Sequence, residues 1–416
     1  MRNRPLTRLL AAGLALTLLG AACSDDDGGD DESTDTSTTA ADGATTEDDG
    51  GATEPAGGAT LTNELAADVA TTYADLVFAE YDASVASATE LHDALDAFVE
   101  APSDEGLQAA KDAWLTARDD YLLTEVFRFY DGPIDNPDDG PEGQINAWPM
   151  DEAYVDYTVD DATAGLVADT ATLPEITEET IAATNEAGGE TNISTGWHAI
   201  EFLLWGQDLS EDGPGERPLT DYTTDANAER RGQYLTTLAH LLIDDLEGVR
   251  DQWDPEGGAY REEFLAEPTQ AVTNILRGMG ALSSGELAGE RMLVAYDTQD
   301  QEDEHSCFSD NTDNDVIGDV KGIQLAYTAD FEGVEGTSLQ DAVAEVAPDQ
   351  GAALTEALDA NVAAAEGLAD LGTFDQIIAD EADREELRTV AESLQAQGDL
   401  VAELATSLGY EISLEI

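Results

Sequence analysis

The chain has 416 residues, 42% of them hydrophobic, and carries 92 acidic against 16 basic side chains, a formal net charge of −76. A field of that sign repels nucleic-acid phosphates and anionic lipid and draws in cations, which excludes nucleic acid as a partner. The apolar content suffices for two ordinary domains or one large one, whereas the acidity reads first as a solubility device and selects no particular metal.

The N-terminus, "MRNRPLTRLLAAGLALTLLGAAC", places arginines before an apolar stretch of about fourteen residues and small residues before Cys23. It is too short to span a membrane and reads as an export signal over 1–22. The "GAAC" junction resembles a bacterial lipoprotein signal, which implies cleavage before Cys23 and a lipid anchor on it. Gly20 departs from the leucine preferred three places before the cysteine, and an ordinary signal peptide is the alternative. Residues 23–60 hold aspartate, glutamate, glycine, serine and threonine but no basic or aromatic residue, the composition of a disordered tether. With Cys23 acylated, Cys307 stands alone and no intramolecular disulfide forms.

From residue 61 the periodicity is helical. "LTNELAADVATTYADLVFAEYDASVASATELHDALDAFVE" repeats apolar residues every three or four positions until Pro102 and Ser103, and "EGLQAAKDAWLTARDDYLLTEVFRFY" resumes the pattern. A Gly/Pro/Asn loop follows, then a short segment around "MDEAYVDY", then the helix of "STGWHAIEFLLWGQDL". Long helices recur in "ERRGQYLTTLAHLLIDDLEGVRDQW", "EEFLAEPTQAVTNILRGMGALSSGELAGERMLVAY" and the two C-terminal segments. No alternating pattern is sustained, so strands are minor. The expected architecture is all-α, two tandem helical bundles at 61–215 and 216–416, divided in the loop between Ser210 and Asn227.

Three segments can carry chemistry. His198 and Glu201, three apart on one helix face, can share a transition metal, with Gly196 admitting a close neighbour to the first turn. Two ligands do not complete a site, and a histidine bonded to its glutamate inside an apolar face is the structural alternative. "DTQDQEDEHSCFSDNTDNDV" crowds Asp300, Glu302, Asp303, Glu304 and His305 ahead of Cys307, Phe308, Ser309 and Asp310. Carboxylates suit hard cations and a histidine shifts preference toward iron, zinc or copper, which makes Glu304 and His305 further candidate ligands. Cys307 as a nucleophile is disfavoured, because surrounding carboxylates raise a thiol's pKa. Finally, Glu125 and Arg128 are three apart in one helical pattern, and Trp148, Asp151, Glu152 and Tyr157 bracket a turn; a salt-bridged helix end under an aromatic is the plainer reading.

Taken in order, Gly196-x-His198-x-x-Glu201 in "GWHAIEFLLWG", "TEVFRFYDGPID" with "INAWPMDEAYVDY", and "GERMLVAYDTQDQEDEHSCFSDNT" resemble the imelysin family of bacterial envelope proteins over nearly the whole chain from residue 61. The resemblance implies two related helical bundles with the motif near their interface, a place among metallopeptidases by virtue of His-x-x-Glu, and for many members a link to iron acquisition. Gly196, His198 and Glu201 are the motif positions, and Glu304–Thr312 is the second signature. After Thr312 a basic residue or histidine is expected and Asp313 stands instead.

Three functions follow as expectations. The first is an exported lipoprotein, held by Cys23 at the outer face of the cytoplasmic membrane or elsewhere in the envelope, binding a metal ion (iron before zinc or copper) and acting with envelope iron-uptake components. The second is a zinc peptidase. For this a second motif histidine is lacking, since Phe202 occupies its place and His92, His240 and His305 are distant in sequence. The third is a scaffold without metal, in which the His198–Glu201 pair is structural.

Overall fold

The computed structural model describes residues 60–210 and 213–416. The export signal, Cys23 and the acidic tether lie outside these. Among the described residues every regular element is helical, with no strand, and no helix is long and apolar enough to cross a membrane.

Helix α1 (Asn63–Glu100) starts where the Thr62 hydroxyl accepts the Leu65 N–H at 3.2 Å. It buries Val69, Tyr73, Leu76, Val77, Leu91, Leu95 and Phe98, the spacing of one apolar face. Pro102 follows its end, where no helical N–H can continue. Ser103 then caps α2 (Asp104–Leu122) through the Gly106 N–H at 3.1 Å. Helix α3 (Gly196–Trp205) is buried at all ten positions, which fits a helix that is apolar all round. It lies between α2 and α4 (Ala228–Gln252), and α4 packs along α1. Hydrogen bonds from Trp114 Nε1 to the Trp197 carbonyl (3.1 Å) and from the Tyr234 hydroxyl to the Ser194 carbonyl (2.7 Å) clamp its first turn.

Helix α5 (Pro268–Ala281) packs on α1 and runs into a π-helical stretch, Leu282–Leu293, before a last α turn at Val294–Thr298. Helices α6 (Thr312–Thr328), α7 (Pro348–Ala369) and α8 (Glu381–Leu408) complete the chain. α7 packs between α6 and α8, α8 lies against the π stretch, and α6 also meets α2. The π stretch was not legible in the apolar period of its segment. π-Turns are rare and gather at functional sites, and here the i→i+5 ring stacks Glu286 over Arg291, bringing Arg291 Nη2 to 3.0 Å from Glu286 Oε1.

One buried ion network holds the middle segment. Asp156 accepts from Arg217 Nη1 at 2.9 Å and from Arg231 Nε and Nη2 at 2.6 and 3.1 Å, all three residues being buried. Removing one partner of such a group leaves uncompensated charge in a poorly hydrated place. Asp156→Ala is therefore expected to destabilise the protein by about 3–5 kcal/mol, read as a lowered midpoint in urea denaturation.

Candidate functional site

Gly196 opens α3 with φ +79°, and a Cβ there would stand 2.3 Å from the Ile145 carbonyl oxygen and 2.6 Å from that of Gln144. Only glycine lets these backbones meet, and their meeting brings the 142–148 segment against the first turn of α3. His198 and Glu201 then face inward, exposed by 1% and 0%.

His198 Nδ1 lies 3.1 Å from Glu201 Oε2. Glu201 Oε1 accepts from both the backbone N–H (2.9 Å) and the hydroxyl (2.7 Å) of Ser309. Both carboxylate oxygens are thus engaged, and His198 Nε2 is buried with no partner among the described residues. Burial pushes the Glu201 carboxyl up to about 8 against the two Ser309 bonds that favour its anion. Burial, followed by the neighbouring His305, pushes His198 well below its usual range, so the imidazole is neutral.

His305 forms a second dyad. Its Nδ1 is 2.7 Å from Asp315 Oδ2, which also accepts the Ser306 hydroxyl at 2.7 Å and Arg118 Nη2 at 3.1 Å. With a carboxylate as the nearest group, Nδ1–H donates to Asp315, and the Nε2 lone pair points away from it. Burial opposes the Asp315 charge, but Arg118 and His305 outweigh it and hold the carboxyl below the usual range. His305 itself is pushed down to about 4, by burial first and Arg291 second. The two imidazoles meet edge to face at 4.8 Å between centroids, and Trp148 packs on His198 at the same distance. Two histidines, each with Nδ1 against a carboxyl group, therefore touch in one buried place, and of their Nε2 atoms that of His198 is buried without a partner among the described residues. A carboxylate behind a histidine is the outer-shell arrangement that orients metal-binding imidazoles.

Beside the dyads lies a cavity of about 590 Å³ lined in part by Trp148, His305, Arg128, Arg291, Glu286 and Glu290. Arg291 reaches from the π stretch to Asp319 (2.8 Å) and to Glu125, which also accepts Arg128 Nη1 at 2.9 Å. Burial works against the charge of Glu125, and Arg128 and Arg291 overcome it, holding the carboxyl below the usual range.

The structure places the sequence-predicted residues unevenly. His198, Glu201, His305, Ser309 and Trp148 come together, while Arg128 lines the adjoining cavity and Glu125, fully buried, is bonded to Arg128. The last two do not share a helix face: α2 ends at Leu122, Glu125 opens a 3-10 turn and Arg128 is extended, because Asp135 collects the N–H groups of Phe129, Tyr130 and Gly132 and bends the chain. Asp151 caps the short helix Glu152–Val155 through the Ala153 N–H. Glu152 bonds Gln207 and is pushed up to about 7 by burial and Glu302. Cys307 is buried, its thiol pushed well up by burial and then by Glu201. Glu304 and Asp310 share the neighbours Asp208 and Asp375, and burial raises both, Asp310 to about 7. Among the described residues, no three His, Cys, Asp or Glu donors around His198 are close enough to share one ion.

Arg118, Asn146, Arg291 and Asp319 were not singled out from sequence, whereas Asp315 belongs to the acidic segment that holds His305. The available signal was scarcity, since Arg118 sits in the apolar stripe Trp114, Ala117, Tyr121 of a chain with few basic residues.

The imelysin family model, a peptidase M75 family, matches residues 77–401. "Iron-regulated protein A" of Synechococcus elongatus is 28% identical over 285 residues, covering 66% of this chain and 67% of that protein. A solved structure described as an iron-regulated protein A precursor of Parabacteroides distasonis superposes with TM-score 0.65 at 17% identity, over 83% of this chain and 96% of that one. An imelysin-like protein of Psychrobacter arcticum superposes with TM-score 0.60 at 16% identity, over 86% and 99%. At those identities the solved structures speak to the fold alone.

The Glu201 shift has a stability consequence. An unfolded carboxyl releases its proton near 4.5, the folded one near 8. Between these values the folded state holds the extra proton, so stability falls as pH rises through the window and levels off above it. The stability of the wild type relative to Glu201→Gln is expected to decline from about pH 5 to about pH 8, measured by urea denaturation of both proteins across that range.

Proposed function

The chain belongs to the imelysin family, and we propose that it is an exported envelope protein that captures a metal ion, iron foremost, as cargo at the His198–His305 centre. The observation that carries this reading is the unpartnered buried Nε2 of His198, whose ring is aimed by Glu201 and, behind it, by Ser309. Once Glu201 is ionised, which a bound cation favours, a neutral imidazole with Nδ1–H tied to that carboxylate is poised to give its Nε2 lone pair to a borderline transition metal. His305 offers a second imidazole of the same kind. Two nitrogens make an open site, suited to cargo that keeps water or its own ligands, and the iron-regulated name of the cyanobacterial relative supports iron over zinc or copper.

Delivery follows from charge. The neighbouring cavity carries Glu286 and Glu290, and the surface field concentrates cations at such a mouth. In this reading Cys23 is the lipid anchor, 24–60 is the tether, and the partners are envelope components of iron uptake.

The peptidase reading draws on the same His198 and Glu201. It requires a third protein ligand and a base for water, and the bonds that occupy both Glu201 oxygens support Glu201 as the residue that orients His198 in preference to a ligand or base.

The test is ferrous binding under anaerobic conditions by the mature protein, with excess magnesium to suppress diffuse surface association. His198→Ala is expected to lose one equivalent of bound metal, and Ser309→Ala to weaken that equivalent by about tenfold or more. Iron binding of equal stoichiometry and affinity in wild type and His198→Ala would remove the proposal.

A further inference from the structure

All four histidines of this chain occur as two touching pairs. Beyond His198 with His305, His92 of α1 and His240 of α4 meet edge to face at 5.8 Å between centroids. This second pair lies on the surface. His240 Nδ1 is 2.8 Å from Glu178 Oε1 and 3.8 Å from Asp244 Oδ2, the latter one helical turn on. Glu178 is the first residue of the short helix Glu178–Ala182, whose start the Thr177 hydroxyl fixes by accepting the Thr180 N–H. The three donors are close enough to one another to hold a single ion.

From these contacts we infer a second metal site, in which Glu178, His240 and Asp244 bind a divalent transition metal of the zinc class, with His92 within a side-chain rotation of the fourth position. Geometry is the first support. Ligand bonds of about 2.1 Å put donors roughly 3.0 to 3.4 Å apart in octahedral or tetrahedral sites, and 2.8 and 3.8 Å straddle that spacing without any backbone movement.

Charge is the second. Glu178 and Asp244 pair with His240 and with no arginine or lysine among the described residues. Asp245, beside them, holds a carboxylate oxygen buried without a partner. With Asp96, which lies 3.9 Å from His92 Nε2, the patch has four carboxylates, two imidazoles and no arginine or lysine paired to Glu178, Asp244 or Asp96 among the described residues, and is short of positive charge. Carboxylates alone would bind calcium or magnesium as readily, and the imidazoles turn the preference toward zinc, iron or copper. An ion here would also tie α1 and α4 to the 178–182 helix, elements that otherwise meet through ordinary packing.

This site does not depend on the buried centre, and the test separates them. Zinc is titrated into wild type, His240→Ala, Glu178→Gln and His198→Ala against a chromophoric chelator, in excess magnesium and moderate salt. His240→Ala is expected to lose one zinc equivalent, Glu178→Gln to weaken that equivalent about tenfold or more, and His198→Ala to retain it. Because His240 and Glu178 are solvent-facing, circular dichroism should report an unchanged fold in both surface variants. His92→Ala is expected to weaken the same equivalent without abolishing it. Zinc binding in His240→Ala equal to wild type would overturn the inference, as would loss of all bound zinc in His198→Ala alone.

Discussion

The candidate centre depends on one ion pair, Arg118 with Asp315. The two are 197 positions apart, both buried, and they lock α2 to α6. Arg118 also donates to Asn146, and Asp315 gathers Ser306 and His305, so one guanidinium and one carboxylate fix a helix, a loop and an imidazole together. Burying such a pair gains little net stability, since desolvation offsets much of the attraction. What it secures here is placement. Without the Asp315 charge, neither the orientation of His305 nor its contact with His198 would be determined.

The same logic runs through the rest of the interior. A chain with 16 basic residues against 92 acidic ones nevertheless buries Arg118, Arg217, Arg231, Arg261 and Arg291. Each has a carboxylate of distant sequence or a backbone carbonyl as partner, and guanidinium suits that work because its donors form a rigid fork. On the outside the excess carboxylates repel one another and keep water close. A few buried cations therefore fix the placement of segments inside an apolar body, with excess carboxylates on the outside. The π stretch belongs to this scheme, since stacking residues five apart sets Glu286 against Arg291 while the guanidinium still reaches Glu125 and Asp319.

Sequence periodicity carried the helices well where one face is buried. α1 and its stop at Pro102 follow from spacing and from proline's missing donor, and α3 follows from an apolar run broken only by His198 and Glu201. The π stretch escaped because a turn of slightly different pitch leaves the apolar pattern of "GMGALSSGELAGERML" nearly unchanged. The turn after Leu122 escaped because "LLTEVFRFY" is apolar enough to read as helix, while its bend is imposed from outside by the Asp135 carboxylate. At the site, His198 and Glu201 stood out by spacing and Ser309 by the company of His305. The direction of each interaction did not. That Glu201 faces its own histidine and Ser309, and that Glu304 turns toward Asp310 and Asp375, are consequences of tertiary packing that no local pattern encodes.

A field of carboxylates and a selective site are different devices, and the proposed function separates them in space. The acidic surface raises the concentration of every cation near it, with an effect that falls off within about 10 Å at moderate salt. Selection among cations needs donors of another kind, and in this chain those are four imidazole rings. Two stand buried with their Nδ1 atoms against the carboxyl groups of Glu201 and Asp315, where desolvation keeps the rings neutral. Two stand at the surface, paired with acids that have no arginine or lysine partner among the described residues. Were the histidines scattered singly, carboxylates would dominate every coordination sphere and calcium or magnesium would fill them. In the proposed reading, pairing them sets nitrogen against oxygen locally, and it is that local ratio, not the total charge, that would let a highly acidic protein distinguish iron or zinc from the more abundant hard cations.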